Sequence, residues 1–283
     1  MAQEIILSVI ILNYKTKGLL KQCIKGIQLL NLPVNYEIIA VDNHSNDDSV
    51  KMMRENFPNI KCIESPQNNG CAAGNNLGIK EARGQYIMIL NPDIAIFEGV
   101  IEKLLKFMDN NPNVGVVAPK LINPDGTRQI SCYRFPRFMT PIYRRTPLGK
   151  LPSVKKKLRD YLMLDYNFKE VNAVDWVLGA CMLVRSSSIE KVGLMDERFE
   201  LYFEDVDWCR QFWQAGFLVC YLNNIEIVHY HQRLSAENPG LRGIFSQATR
   251  IHIASALKYF AKYWGAKKIN KEKIITRKKT NEK

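Results

Sequence analysis

The 283-residue chain contains no run of about 18 or more apolar residues, so no membrane-spanning helix is expected. Its seven cysteines are scattered and form no CxxC pair. That argues against a zinc cage or a disulfide framework and fits a reducing cytoplasm, with Cys181, Cys209 and Cys220 read as small core residues. There is no Walker A loop, and no GxGxxG followed by an acid about 20 residues on. No internal repeat is present, and the opening Met-Ala-Gln-Glu lacks the basic start of a signal peptide, so the apolar run after it reads as a first strand.

What is present is the composition of a globular protein, 46% hydrophobic and long enough for one large domain or two small ones. The formal charge of +12 is unevenly spread. Residues 1–110 carry 11 Lys and Arg against 12 Asp and Glu, and residues 111–283 carry 29 against 16. A basic second part points to a polyanionic partner: nucleic acid, a phosphorylated substrate or an anionic membrane surface.

Residues 5–12, 36–41, 60–64 and 86–90 read as strands, and residues 18–30, 50–57 and a stretch ending near 82–84 read as helices between them. That alternation predicts a doubly wound, mainly parallel α/β sheet flanked by helices. Residues 98–109 are helical, 114–120 strand-like, and Asn123-Pro124-Asp125-Gly126 is a turn. Residues 134–169 are a basic, proline-containing excursion, partly helical over 154–164. Residues 174–185 are strand-like and interrupted by Gly179-Ala180. Residues 199–217 hold an acidic loop and an amphipathic helix, 221–231 a strand ending in two histidines, and 241–264 a long aromatic-rich helix. The basic tail, 266–283, is expected to be frayed or disordered.

Chemistry-bearing residues gather at expected strand ends. Asp93 follows the apolar run 86–90 through Asn91-Pro92, which places it at the carboxyl edge of a central strand, where open α/β sheets bind ligands. Asp42 ends the second strand, and Asn13-Tyr14 ends the first on the same edge. A carboxylate there accepts from a base imide or a ribose hydroxyl, or simply caps the next turn. The run 68–78, including Asn69, Gly70 and Asn75, brings backbone amides to a helix N-terminus and suits an anion, although a glycine-rich turn accounts for the same residues. A cation on a diphosphate needs few protein ligands; with Asp93, the candidates are His229 and His231, which share a strand face. Glu204, Asp205 and Asp207 crowd a helix start among aromatics, which can raise a carboxylate toward the range of a general base.

Taken together, six motifs resemble family 2 glycosyltransferases of GT-A fold, and most of all their bacterial rhamnosyltransferase-like branch. They are Ser-Val-Ile-Ile-Leu-Asn-Tyr at 8–14, Val-Asp-Asn-His-Ser-Asn-Asp at 41–47, Asn-Asn-Gly at 68–70 with Gly-Asn-Asn-Leu-Gly at 74–78, Leu-Asn-Pro-Asp at 90–93, Trp-Val-Leu-Gly-Ala-Cys-Met at 176–182, and Phe-Glu-Asp-Val-Asp-Trp-Cys at 203–209. The resemblance covers residues 5–265 and implies one GT-A domain, with a nucleotide-binding part over 1–120, an acceptor-binding part over 121–265 and a basic extension after it. It implies an inverting enzyme using a dTDP- or UDP-linked sugar and Mg2+ or Mn2+. Asp93 stands at the end of the family's DxD motif, with Asn91 in place of the first acid. Asn13, Tyr14, Asp42, Asn69, Gly70 and Asn75 fall on the donor nucleotide. Asp205 matches the catalytic base, with Glu204 orienting a sugar, and Trp176, Gly179, Ala180 and Asp207 fall on the sugar and acceptor side. His229 matches the family's late metal-binding histidine; the tail of that motif lacks its glycine here, which leaves His231 as the alternative.

The expected acceptor is a hydroxyl of a cell-surface polysaccharide or lipid-linked glycan. The tail carries eight Lys and Arg and two acids beside Tyr259, Phe260, Tyr263 and Trp264, which suits peripheral contact with an anionic membrane at the cytoplasmic face. Oligomerisation is left open. Two competitors are a nucleic-acid-binding module, which explains the charge but has no stacking motif, and a sugar-phosphate nucleotidyltransferase, which calls for a glycine- and arginine-rich phosphate loop where Asn13–Gly18 stands.

Overall fold

Continuous apolar runs with a strand-length limit fold into strands buried on both faces. In the computed structural model, which describes residues 4–230 and 247–280, three such runs are β1 (Leu7–Asn13), β2 (Tyr36–Asp42) and β4 (Tyr86–Leu90), and the short, partly exposed β3 (Lys61–Glu64) forms the sheet edge. They lie parallel in the order β3-β2-β1-β4, so Asn13 and Asp42 end up side by side at the carboxyl edge. Between them run α1 (Lys17–Leu29), α2 (Ser49–Asn56) and α3 (Gly70–Glu81). Every residue of β4 is buried. Helix α3 packs tightly on β1 through two glycines four residues apart: a Cβ at Gly74 would lie 2.4 Å from Leu12 Cδ1, and one at Gly78 2.5 Å from Ile10 Cγ2.

After β4 come β5 (Ile94–Ala95), α4 (Val100–Asp109) and β6 (Val114–Ile122). A small hairpin-like pair, β7 (Cys132–Tyr133) with β9 (Trp176–Val177), forms a second sheet. The excursion between them folds as α5 (Thr140–Arg145), a 3-10 turn (Pro147–Lys150), α6 (Pro152–Tyr161) and β8 (Val171–Ala173). The apolar stretch broken at Gly179-Ala180 is two strands in two sheets, β9 and β10 (Cys181–Arg185). β10 enters antiparallel between β4 and β6. Next come α7 (Ser186–Val192), α8 (Glu204–Gln214) and β11 (Leu218–His229), which runs parallel to β6. The result is a mixed nine-stranded sheet, parallel through its first half. None of the seven cysteines forms a disulfide, and Cys181, Cys209 and Cys220 are core residues.

Two helices close the described chain: α9 (Gln247–Lys262) and α10 (Lys271–Thr280). The tail is therefore not frayed over its whole length, as its polarity suggests. Ile269 and Ile274 pack against the core, and Lys271 Nζ lies 2.6 Å from the buried Asp175 Oδ1. A polar segment can dock when its few apolar and charged groups meet complementary partners, and composition does not record those. Among the described residues, no helix is long and apolar enough to cross a membrane.

Candidate active site

Four strand ends, in two groups, and one helix start lie at the carboxyl edge of the sheet. At the first, Asn13 is fully buried and its Nδ2 donates to Asp42 Oδ1 (2.8 Å), Ser45 Oγ (3.0 Å) and Ser49 Oγ (2.9 Å). Asp42 Oδ2 accepts from the Ser45 amide at 2.9 Å. Asp42 is held rigid by these bonds and keeps further acceptor capacity, since a carboxylate offers about four lone-pair sites. Tyr14 is exposed beside it.

At the second, β4 ends and Asp93 emerges, its side chain 21% exposed. Its Oδ2 lies 3.4 Å from His229 Nε2 at the end of β11, where His229 pairs with Ile94. Gln129 orients the imidazole. Its Nε2 donates to the His229 carbonyl (2.9 Å) and to Asn123 Oδ1 (2.6 Å), which turns its Oε1 to His229 Nδ1 at 2.9 Å. That polarity makes Nδ1 the donor to Gln129 and leaves Nε2 facing Asp93.

One carboxylate oxygen and one imidazole nitrogen suit Mn2+ or Mg2+ with most positions left to phosphate and water. Donors about 2.1 Å from one octahedral cation and at right angles sit about 3 Å apart, close to the observed 3.4 Å. The pair fits such an ion. Among the described residues there is no cluster of three or more ligand-type side chains. His231 lies outside the described residues.

The third contribution is the start of α8. Tyr202 (φ 65°) and Phe203 (φ 71°) are both left-handed, a strained entry for non-glycine residues. Asp205 is 8% exposed, with Oδ1 accepting from the Val206 amide (2.8 Å) and Oδ2 from the Gly179 amide (3.1 Å). Burial pushes its carboxyl up to about 6, against the pull of those two amides. Glu204 is pushed well above the usual range by burial and then by the neighbouring Asp205 charge, and its Oε2 is buried with no hydrogen-bond partner. One acid is thus set to ionise near neutrality and its neighbour to keep its proton.

The two halves are joined by two consecutive residues. Gly179 holds Asp205, and the Ala180 carbonyl accepts from the Asn91 amide at 2.9 Å, at the root of the Asp93 loop.

A family model described as glycosyl transferase family 2 matches residues 8–165. The chain belongs to glycosyl transferase family 2. The matched residues include Asn13, Asp42 and Asp93, whereas Asp205 and His229 lie beyond them. The chain is 25% identical over 254 residues to the N-acetylglucosaminyl-diphospho-decaprenol L-rhamnosyltransferase of Mycobacterium tuberculosis, covering 83% of this chain and 79% of that one. It is 28% identical over 207 residues to the low-salt glycan biosynthesis hexosyltransferase Agl10 of Haloferax volcanii, covering 72% of this chain but only 60% of that protein's length. Rhamnosyltransferase WbbL of Escherichia coli is 24% identical over 239 residues, covering 81% and 83%. Among solved structures, GalNAc-T7 with UDP, GalNAc and Mn2+ superposes with a TM-score of 0.58 at 15% identity, over 82% of this chain and 45% of that one. S. aureus TarS 1-349 does so with 0.54 at 14%, over 80% and 60%. These likenesses show a GT-A type of fold.

Within this glycosyltransferase family frame, several residues sit elsewhere than their motifs suggest. Asp207 is fully buried on the far side of α8, bonded to Lys262 Nζ (2.8 Å), the Tyr263 hydroxyl (2.8 Å) and Gln211 Nε2 (2.5 Å). It anchors α9 through Lys262 and Tyr263. Trp176 is 5% exposed, stacked on Tyr133 at 4.1 Å, with its indole N–H on the Arg134 carbonyl. These contacts hold Trp176 three residues before Gly179.

The start of α3 is not an open anion cradle. The Gly70 amide is taken by Asn68 Oδ1 (3.0 Å) and the Cys71 amide by the Glu200 carbonyl (2.5 Å). Asn75 turns back on its own helix, to the Cys71 carbonyl, while Asn69 is exposed at the helix start. This segment holds the loop before α8 instead: Asn76 bonds both the Met195 amide (3.0 Å) and the Met195 carbonyl (2.9 Å). Gln129 carries no sequence signal at all, because its partner lies 100 residues away.

Proposed function

We propose that the chain is an inverting, metal-dependent glycosyltransferase that moves a hexose, rhamnose or a close relative, from a dTDP- or UDP-linked donor to a hydroxyl of a lipid-linked or cell-surface glycan. The carrying observation is the Asp205 carboxylate, buried at a helix start, raised to about 6 and tied through Gly179-Ala180 to the Asp93 loop. The names of the mycobacterial and enterobacterial relatives support the donor sugar, and decaprenol in the first supports the lipid-linked acceptor.

Asp205, ionised at neutral pH, takes the proton from the acceptor hydroxyl as that oxygen attacks the anomeric carbon. The new C–O bond forms on the face opposite the bond to the nucleoside diphosphate, which leaves with its electron pair. A single base on the attacking side gives inversion; a retaining double displacement calls for a second, nucleophilic carboxylate. Glu204, still protonated, donates a hydrogen bond to a sugar oxygen. Asp42, with Asn13 holding it and Tyr14 beside it, receives the base and ribose. Asp93 and His229 would hold the divalent cation, which supplies charge neutralisation to the departing diphosphate.

The reading is tested by a thermal-shift panel of nucleotide sugars with Mn2+ and with EDTA, followed by NMR of the product's anomeric centre. A shift for one dTDP- or UDP-sugar that EDTA removes, and an inverted product, are expected. A retained configuration contradicts the assignment of Asp205.

A further inference from the structure

Residues 126–159 carry ten Lys and Arg and no Asp or Glu, and the sugar chemistry uses none of them. This segment is a folded excursion with a pinned base. It leaves after Tyr133 and returns at Tyr161, where the Arg134 amide donates to the Tyr161 carbonyl (2.9 Å) and the two tyrosine rings lie 5.7 Å apart. Between these points α5, the 3-10 turn and α6 pack on one another, with Val154 and Tyr161 turned inward.

Its outer side is apolar as well as basic. Phe138 is 55% exposed, Leu148 46% and Leu151 50%, with Met139 and Ile142 exposed near them. Phe138 and Met139 lie in the turn that leads into α5, and Ile142 is in the first turn of that helix. Leu148 lies in the 3-10 turn, and Leu151 caps its end just before α6. Arg137, Arg144, Lys150 and Lys155 stand exposed among them. A folded unit with its own buried side chains and five large exposed apolar groups, of which Phe138 also sets an edge against Phe260 at 5.4 Å, offers surface to an apolar partner. The cations around it select one that is also anionic.

We propose that Phe138, Met139, Ile142, Leu148 and Leu151 enter the headgroup–acyl boundary of an anionic phospholipid bilayer, with the surrounding Arg and Lys side chains on its phosphates. This deepens, and rests on, the reading of a lipid-linked acceptor. The base of the excursion is next to the catalytic carboxylate: β7 pairs with β9, the Leu178 amide donates to the Ser131 carbonyl at 2.9 Å, and the next residue, Gly179, holds Asp205. Docking here brings a hydroxyl carried on a membrane-anchored diphosphate to the Asp205 side of the site. The C-terminal tail is the less suited contact, since its Lys271 is already committed to Asp175.

The test is co-sedimentation of the full chain with sucrose-loaded vesicles of phosphatidylcholine, with and without phosphatidylglycerol. The wild type is expected to pellet with the mixed vesicles and not with phosphatidylcholine alone. The exposed-site variant Phe138→Ser/Leu148→Ser/Leu151→Ser is expected to lose binding by about tenfold or more, because each buried apolar group contributes to the partition constant. Mn2+-dependent nucleotide-sugar binding in the same variant is expected to be unchanged, which reports the fold and donor site separately from the membrane. Equal partitioning of variant and wild type overturns the proposal, as does failure of the wild type to bind mixed vesicles. Vesicle binding displaced by a duplex oligonucleotide that the triple variant still binds assigns the surface to nucleic acid and overturns it too. Absence of any nucleotide-sugar binding by the wild type instead strikes the glycosyltransferase reading.

Discussion

The backbone N–H of Gly179 donates to Asp205 Oδ2 at 3.1 Å, and the next residue's carbonyl accepts from Asn91. The proposed base and the candidate metal loop, more than a hundred residues apart in sequence, are thereby held by adjacent peptide groups.

A pH profile follows from that environment. Burial raises the Asp205 carboxyl to about 6, and only the ionised form can take a proton. Turnover is therefore lost as pH falls through about 6 and is full above it. Log kcat/KM should rise with unit slope at low pH and level off near that value. A break near 4, the range of an unperturbed carboxylate, contradicts the assignment.

Gln129→Leu removes the acceptor for His229 Nδ1 while leaving both candidate ligands in place. Loss of such an orienting partner weakens metal binding by about 10- to 100-fold. Titration of free Mn2+ by EPR, with nucleoside diphosphate present, reads this without turnover. Unchanged Mn2+ affinity removes the metal role of His229.

Lys262→Met leaves the fully buried Asp207 without its cation, with Tyr263 and Gln211 as its remaining donors. Removing one member of a buried pair costs about 3–5 kcal/mol, and the lower end applies because Lys262 is partly exposed. Urea unfolding should show the loss, with no change in product stereochemistry.

Gly70→Ala should impair catalysis more than donor binding. Gly70 has φ +87°, and a Cβ there would lie 2.1 Å from the Glu200 carbonyl oxygen, in the loop that leads to Asp205. The backbone strain alone costs about 1–3 kcal/mol. A larger drop in kcat than change in donor Kd is the expected pattern.

β1, β2 and β4 are legible because an apolar run buried on both faces has few other solutions at that length. β10 is legible as a strand but not as an antiparallel one, since four apolar residues before Arg185 carry no direction. The strand-end acids are legible for the same reason as the strands. Asp207 is not: two residues from Asp205 on a helix is a turn of about 200°, so the two acids face opposite ways, and which one faces the site depends on where α9 packs. Trp176 and the run 68–78 share a different ambiguity. Aromatic and glycine-rich motifs serve ligands and close packing alike, and here the packing partners, Tyr133 and Glu200, are distant in sequence.

The most direct measurement is single-turnover transfer by Asp205→Asn, paired with its donor affinity. Loss of a general base costs about 10²- to 10⁴-fold, so transfer should fall by that factor while nucleotide-sugar binding with Mn2+ stays within about twofold. Near wild-type transfer by this variant contradicts the account.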